Sequence, residues 1–173
     1  MSNVEDAQSR RDGWLRLDNA ALLGQCREER YRASGPGGQR RNKVETAVRL
    51  HHRPSGVVSQ AEESRSLAEN RTRAVRRLRE RIALSCRVPF DLAAPVLPPE
   101  FLEPGRRTGS FAVNPRNRVY PLIVATILDA LAATEGSYAR AGRALGLTTS
   151  QLIRFLRADR EVWRAVETVR AIR

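Results

Sequence analysis

The chain has 173 residues, 41% of them hydrophobic, which allows one compact domain or two small ones with modest cores. Its formal charge of +12 comes almost wholly from arginine, Lys43 being the sole lysine among 31 basic residues, and this favours a polyanionic partner such as RNA or DNA. No segment reaches the roughly 18 apolar residues of a membrane helix, and the N-terminus lacks the apolar run of a signal peptide, so a cytoplasmic protein without membrane contact is expected.

Residues 1–16 are polar and unpatterned and read as a flexible arm. Asp18 then caps a short helix, with Ala21, Leu22 and Cys26 at helical spacing, and "REERYRAS" runs as a strand into a glycine-rich loop. Beyond the loop, "TAVRLHHRP" and "VVSQ" flank "PSG", a hairpin signal with Gly56 in the turn. From Ser64 the period changes: Leu67, Ala74, Val75, Leu78 and Ile82 mark the apolar stripe of a long helix, and Arg71, Arg73, Arg76, Arg77, Arg79 and Arg81 cover much of the rest.

Residues 87–118 hold six of the nine prolines and read as a linker, or a strap lying against a neighbour. Helical patterning returns over residues 119–173. Pro121 sits in a first turn, Gly136 is a stop, and "SYARAGRALG" precedes "TTSQLIRFLRADR". A small core of Leu145, Leu147, Leu152, Ile153 and Leu156 with Ile127 and Leu131 follows. Helix, tight turn at Gly146 and helix is the helix-turn-helix pattern, placing Thr149, Ser150, Gln151 and Arg154 on the second helix. The same pattern serves a protein-interaction module equally well.

The expected architecture is therefore α+β: residues 17–86 form a short antiparallel sheet packed on a long amphipathic helix, and a proline-rich linker joins them to a small all-α module. Cys26 and Cys86 form no CxxC pair, and His51 and His52 are the only histidines, so no metal site and no cofactor are expected.

The loop "SGPGGQRRNK", Ser34–Lys43, matches neither a phosphate-binding GxxxxGK[ST] loop nor a GxGxxG fingerprint, and no hydrolytic triad assembles around it. Chemistry at this loop would run through backbone N–H groups free of Cβ crowding and through the Gln39 amide, in the manner of an oxyanion hole. Arg40, Arg41, Asn42 and Lys43 follow at once as candidate RNA contacts, with Arg71, Arg73, Arg76 and Arg77 as candidate phosphate contacts on the helix.

"RASGPGGQRRNKVETAVRLHHRPSGVV" followed by "RSLAENRTRAVRRLRERI" resembles the GGQ catalytic domain of peptide chain release factors, shared with ribosome-rescue peptidyl-tRNA hydrolases. "SGPGGQ", "NK", "TAVRL", "HxPSG" and "RSxxxNR" occur in that order between Asp18 and Leu84. The resemblance implies hydrolysis of the peptidyl-tRNA ester in the peptidyl-transferase centre, with large-subunit ribosomal RNA and peptidyl-tRNA as partners. In that reading Gly37 and Gly38 permit the loop conformation. Gln39 offers its backbone N–H to the developing oxyanion, and its side chain, a candidate for methylation by a glutamine methyltransferase, admits water.

The chain departs from the family in carrying Arg40 and Arg41 after the glutamine and Leu67 in place of the glutamine of "RSQ". Codon-reading release factors also carry a stop-codon-reading domain and a long helical domain that 173 residues do not accommodate. The resemblance therefore implies a codon-independent rescue factor. A non-catalytic ribosome- or RNA-binding protein, and a DNA-binding regulator acting through the C-terminal helices, are the alternatives; the oligomeric state is open.

Overall fold

A computed structural model of the chain describes residues 2–32, 44–106 and 111–171. The chain divides into two compact units, Arg16–Ser85 and a second made of Met1–Leu15 together with Cys86–Arg173.

In the first unit, Asp18 caps α2 (Asn19–Gly24), its carboxylate accepting from the Ala21 N–H at 2.8 Å. The helix stops two residues short of Cys26, which the spacing places on it. Cys26 instead opens strand β1 (Cys26–Tyr31), its thiol facing the Leu22 carbonyl at 3.2 Å. Strands β2 (Ala47–His52) and β3 (Val58–Ala61) complete an antiparallel sheet in the order β1-β2-β3. Register pairs Glu28 with Leu50 and Leu50 with Ser59, and Val48 with Ala61, so period-2 alternation gathers Val48, Leu50, His52, Ser59 and Ala61 on one buried face.

The turn between β2 and β3 explains the "HxPSG" spacing. Gly56 takes φ +70°, a left-handed conformation that disfavours a side chain, and its N–H closes on the His52 carbonyl at 2.8 Å. Helix α3 (Leu67–Ser85) lies on the buried face and supplies Ala74, Val75, Leu78, Ile82 and Ala83 to the core. Ser59 on β3 donates to the Ala74 carbonyl at 2.8 Å, a polar tie between sheet and helix. Arg79 departs from the expected basic surface: it is buried and donates to the Asn19 side chain at 2.7 Å and the Leu17 carbonyl at 2.6 Å. Its stem covers apolar surface while its head satisfies polar groups at the start of α2.

The second unit differs from the reading of its sequence at both ends. Residues 1–16 are no loose arm among the described residues, for Ser2–Arg16 form helix α1, with Arg11, Asp12 and Leu15 buried. Arg11 bonds Asp12 at 2.9 Å and pairs with Asp129, a residue on helix α5 (Tyr120–Ala133). A helix whose buried residues are Arg11, Asp12 and Leu15 shows no long apolar stripe, which hides it from pattern reading.

The proline-rich stretch also packs within this unit. Val88, Phe101 and Phe111 are buried, and α4 (Pro99–Arg106) forms inside the segment expected to be a linker. Tilted ring pairs tie it down, with centroids 5.1 Å apart for Phe101 and Phe111, 5.3 Å for Phe111 and Phe155, and 5.6 Å for Tyr120 and Phe155. Proline excludes regular ladders but leaves aromatic side chains free to anchor an extended strap.

Helix α5 is buried over Tyr120–Leu131, as an apolar helix without a polar face requires. Around it pack α6 (Tyr138–Ala144), α7 (Thr149–Arg157) and α8 (Arg160–Ala171), the last not anticipated from the sequence. Ile127, Leu131, Leu152 and Leu156 are fully buried as expected, whereas Leu147 and Ile153 are half-buried. Within α5, Asp129 also accepts from Arg87 at 3.0 Å and from the Val88 N–H at 3.2 Å. Burial pushes its carboxyl up, against the pull of Arg11 and Arg87.

Candidate active site

The chemistry expected of Gly37, Gly38 and Gln39, and of Arg40, Arg41, Asn42 and Lys43, falls on residues 33–43, outside the described residues. The structure defines the two strands that this segment joins. Tyr31 pairs with Ala47 at the last rung of the β1–β2 ladder, and one step further Arg32 and Glu45 lie 3.7 Å apart. Two antiparallel strands thus end side by side at the point where the glycine-rich stretch leaves and returns.

Each strand end is fixed by side chains. On the β1 side the Tyr31 hydroxyl donates to Glu62 at 3.0 Å, and the Arg49 guanidinium lies over the Tyr31 ring at 5.1 Å. Burial, then the Glu62 carboxylate, pushes the Tyr31 phenol up. On the β2 side, the side chain of the fully buried Asn70 donates to the Thr46 carbonyl at 2.7 Å and the Ser64 carbonyl at 2.8 Å, and accepts from the Ser64 N–H at 3.0 Å. One amide, through these three bonds, joins the first turn of α3 to the entry of β2.

Its neighbour Arg71 grips β1. Arg71 Nε and Nη2 each donate to a Glu28 oxygen at 2.8 Å, a bidentate fork that combines charge with fixed geometry. Arg71, helped by Arg30, holds the Glu28 carboxyl below the usual carboxylate range against the opposing effect of burial. The "NR" of "RSxxxNR" therefore braces both arms of the hairpin from a single helical turn.

The other helix arginines are distributed unevenly. Arg77 lies 2.7 Å from Glu63 and donates to the Gln60 carbonyl at 2.8 Å, while Arg73 lies 3.5 Å from Glu69 and 3.9 Å from Glu63. Arg76 has the most exposed side chain of the four, at 64%, and a 3.5 Å i,i+4 pairing with Glu80. Bonding to Arg77 keeps the Glu63 carboxyl low.

At the far end of β2 lies a neutral imidazole. His52 is buried; its Nε2 faces the Gln25 Oε1 at 2.9 Å and its Nδ1 the Ser55 hydroxyl at 2.6 Å. The amide oxygen only accepts, so Nε2 carries the proton and Ser55 donates to Nδ1. Burial lowers the His52 pKa and keeps the ring neutral. The imidazole is thereby committed to holding the turn. Among the described residues no cluster of His, Cys, Asp or Glu is arranged to hold a metal ion, and no helix is long and apolar enough to cross a membrane.

The helix-turn-helix candidates lie on α7. Thr149, Ser150 and Arg154 are exposed, but Gln151 is half-buried in a capping box in which Thr148 Oγ1 accepts from the Gln151 N–H at 3.2 Å and the Gln151 side chain accepts from the Thr148 N–H at 2.9 Å. The sequence places Asn70 in a motif without a partner and marks Arg71 as a phosphate contact, whereas in the fold Arg71 holds Glu28. Glu28 carried no signal at all, since its role rests on a contact 43 residues away.

The model of the RF-1 domain matches residues 23–88. Over 52 residues, 30% of the chain, it is 54% identical to peptide chain release factor 1 of Chloroherpeton thalassium, covering 14% of that protein. It is 52% identical over 56 residues to peptide chain release factor 2 of Acidovorax sp. strain JS42, covering 32% of this chain and 15% of that one. A third relative, peptide chain release factor 1 of Lacticaseibacillus casei, is 50% identical over 56 residues, with 32% and 16% covered. No solved structure matches. The match runs from Leu23 in the first unit to Val88, three residues into the second segment of the chain, and the three-stranded sheet and the bracing helix fall within it: the chain carries a release-factor-like GGQ domain of the RF-1 type.

Proposed function

We propose that the chain promotes hydrolysis of the peptidyl-tRNA ester on ribosomes or large subunits that have stalled without a stop codon. The observation that carries this reading is the RF-1 match across residues 23–88, which includes Gly37-Gly38-Gln39 and continues through the residues that brace both ends of the hairpin. A water oxygen attacks the ester carbonyl carbon, the bond from that carbon to the tRNA 3′ oxygen breaks, and the 3′ oxygen leaves with a proton. The protein's share is electrostatic. The Gln39 backbone N–H meets the developing oxyanion and its side chain admits water, with Gly37 and Gly38 removing Cβ crowding. Ribosomal RNA and the tRNA supply the remaining surroundings, in the cytoplasm where ribosomes work.

Arg40, Arg41, Asn42 and Lys43 extend this contact to RNA, and Arg73 and Arg76 add phosphate contacts from α3. Arg71 and Arg77, each on a carboxylate at 2.8 Å or less, serve first to position the hairpin and reach phosphate only by exchanging partners. The Gln39 amide nitrogen is the acceptor for a glutamine methyltransferase.

The test is release of nascent peptide from complexes lacking a stop codon, with isolated large subunits alongside. Release by the wild type, lost in Gln39→Pro and Gly38→Ala while ribosome binding persists, is the expected result. Binding without release by the wild type would replace this reading with a non-catalytic ribosome-binding role.

A further inference from the structure

We propose that the exposed sides of α6 and α7 form a second RNA-binding surface, which takes the phosphate backbone of an RNA duplex without reading its sequence. Residues 137–160 contain five arginines, Arg140, Arg143, Arg154, Arg157 and Arg160, against one carboxylate, Asp159. That carboxylate is already occupied: it accepts from the Tyr120 hydroxyl at 3.0 Å and from the Glu161 and Val162 N–H groups at 2.9 and 3.3 Å. Among the described residues Arg140, Arg143, Arg154 and Arg160 are exposed and have no ion pair, and Arg157 lies over the Trp163 ring at 5.2 Å. On α3, by contrast, Arg71, Arg73, Arg76 and Arg77 each face a carboxylate. Uncompensated charge has thus collected on α6 and α7, beyond the residues that the release-factor likeness covers.

The arrangement is ordered. Arg140 and Arg143 are three residues apart on α6. Ser150, Arg154 and Arg157 fall at i, i+4 and i+7 on one face of α7, and Thr149 stands beside them at its first turn. The two helices are locked together by a turn that tolerates little change. A Cβ on Gly142 would lie 2.8 Å from the Leu147 carbonyl oxygen, the Leu147 N–H donates to the Gly142 carbonyl at 2.8 Å, and Gly146 takes φ +67°. A rigid frame holding guanidiniums and hydroxyls suits phosphate oxygens.

Two observations favour backbone contact over base reading. Gln151, the one amide on α7, has its oxygen occupied by the Thr148 N–H and hydroxyl at 2.9 and 3.1 Å, and so cannot accept from a base edge. An A-form duplex also hides its bases in a groove too deep and narrow for a helix, leaving phosphates and 2′-hydroxyls on view. The choice of RNA rests on the function proposed above, which puts the other unit in an RNA site. A second RNA-binding unit on the same chain then raises effective concentration without new catalytic groups.

The test uses the full chain, two labelled RNA duplexes of unrelated sequence and the same two sequences as DNA. The wild type is expected to bind both RNAs equally, with affinity falling steeply with salt. Arg140→Gln/Arg143→Gln/Arg154→Gln should weaken binding at least about tenfold and flatten the log–log salt slope by about 2 to 3. The matching arginine-to-lysine triple variant should retain most binding; the single glutamine variants serve if the triple does not fold. An unchanged slope in the glutamine variants, tighter binding to DNA than to RNA, or preference for one sequence would overturn the inference. Peptide release measured on the same proteins separates the two claims, because Gln39→Pro should lose release and keep duplex binding.

Discussion

The Asn70 side chain donates to the Thr46 carbonyl at 2.7 Å, and this single bond ties α3 to the residue that precedes β2. Since Asn70 also holds both backbone groups of Ser64, its loss leaves two carbonyls and one N–H short of partners in a part-buried site. Asn70→Ala should destabilise the protein by about 2 kcal/mol, measured by urea unfolding. Asn70→Asp should be at least as damaging, because it replaces the donating amide with a carboxylate facing two carbonyl oxygens. Equal stability of wild type and Asn70→Ala would remove the clamp from the account.

Glu28 and Arg71 should couple in a double-mutant cycle by about 1 kcal/mol, a figure held down by the partial exposure of Arg71. The folded-state pKa of Glu28 is depressed, so its contribution is fully present above the ordinary glutamate value near 4.3 and is lost as pH falls through the folded value. Unfolding midpoints between pH 6 and about pH 3 should therefore fall more steeply in the wild type than in Glu28→Gln.

His52 is lowered by burial, so the unfolded chain binds the proton more tightly than the folded one. The stability this group contributes is present above about pH 6.5 and declines as pH falls from there toward the folded value. Substitution by Gln should flatten that part of the stability profile. The imidazole resonances, followed by NMR, should show the neutral form with the proton on Nε2 persisting below pH 6.5. An ordinary His52 titration would contradict the hydrogen-bond assignment.

Two glycines should respond in opposite directions to alanine. At Gly142 the new Cβ would meet a backbone oxygen at 2.8 Å, so the α6–α7 turn must shift and stability should fall by about 2 kcal/mol. Gly13 lies within α1 with nothing within 4 Å of a Cβ, and Gly13→Ala should raise stability by roughly 0.5–1 kcal/mol through helix propensity and unfolded-state entropy. Thermal midpoints of the two variants decide both.

The sequence by itself determined the hairpin, the long amphipathic helix, the identity of the GGQ stretch and the helix-turn-helix spacing, because each is local: a period of two, a period of 3.6, a turn residue or a short motif. The tertiary structure decided which charges are taken and which are free. Glu28 reaches Arg71, Asn70 reaches Thr46, and Arg11 reaches Asp129 across 118 residues, none of which periodicity records. The same distinction turned the polar N-terminal stretch into a helix and the proline-rich segment into a packed strap, since an ion pair and three phenylalanines anchored them in place of a continuous apolar stripe. Charge counted along the chain is a sum, whereas charge available to a partner is what remains after folding has paired the rest.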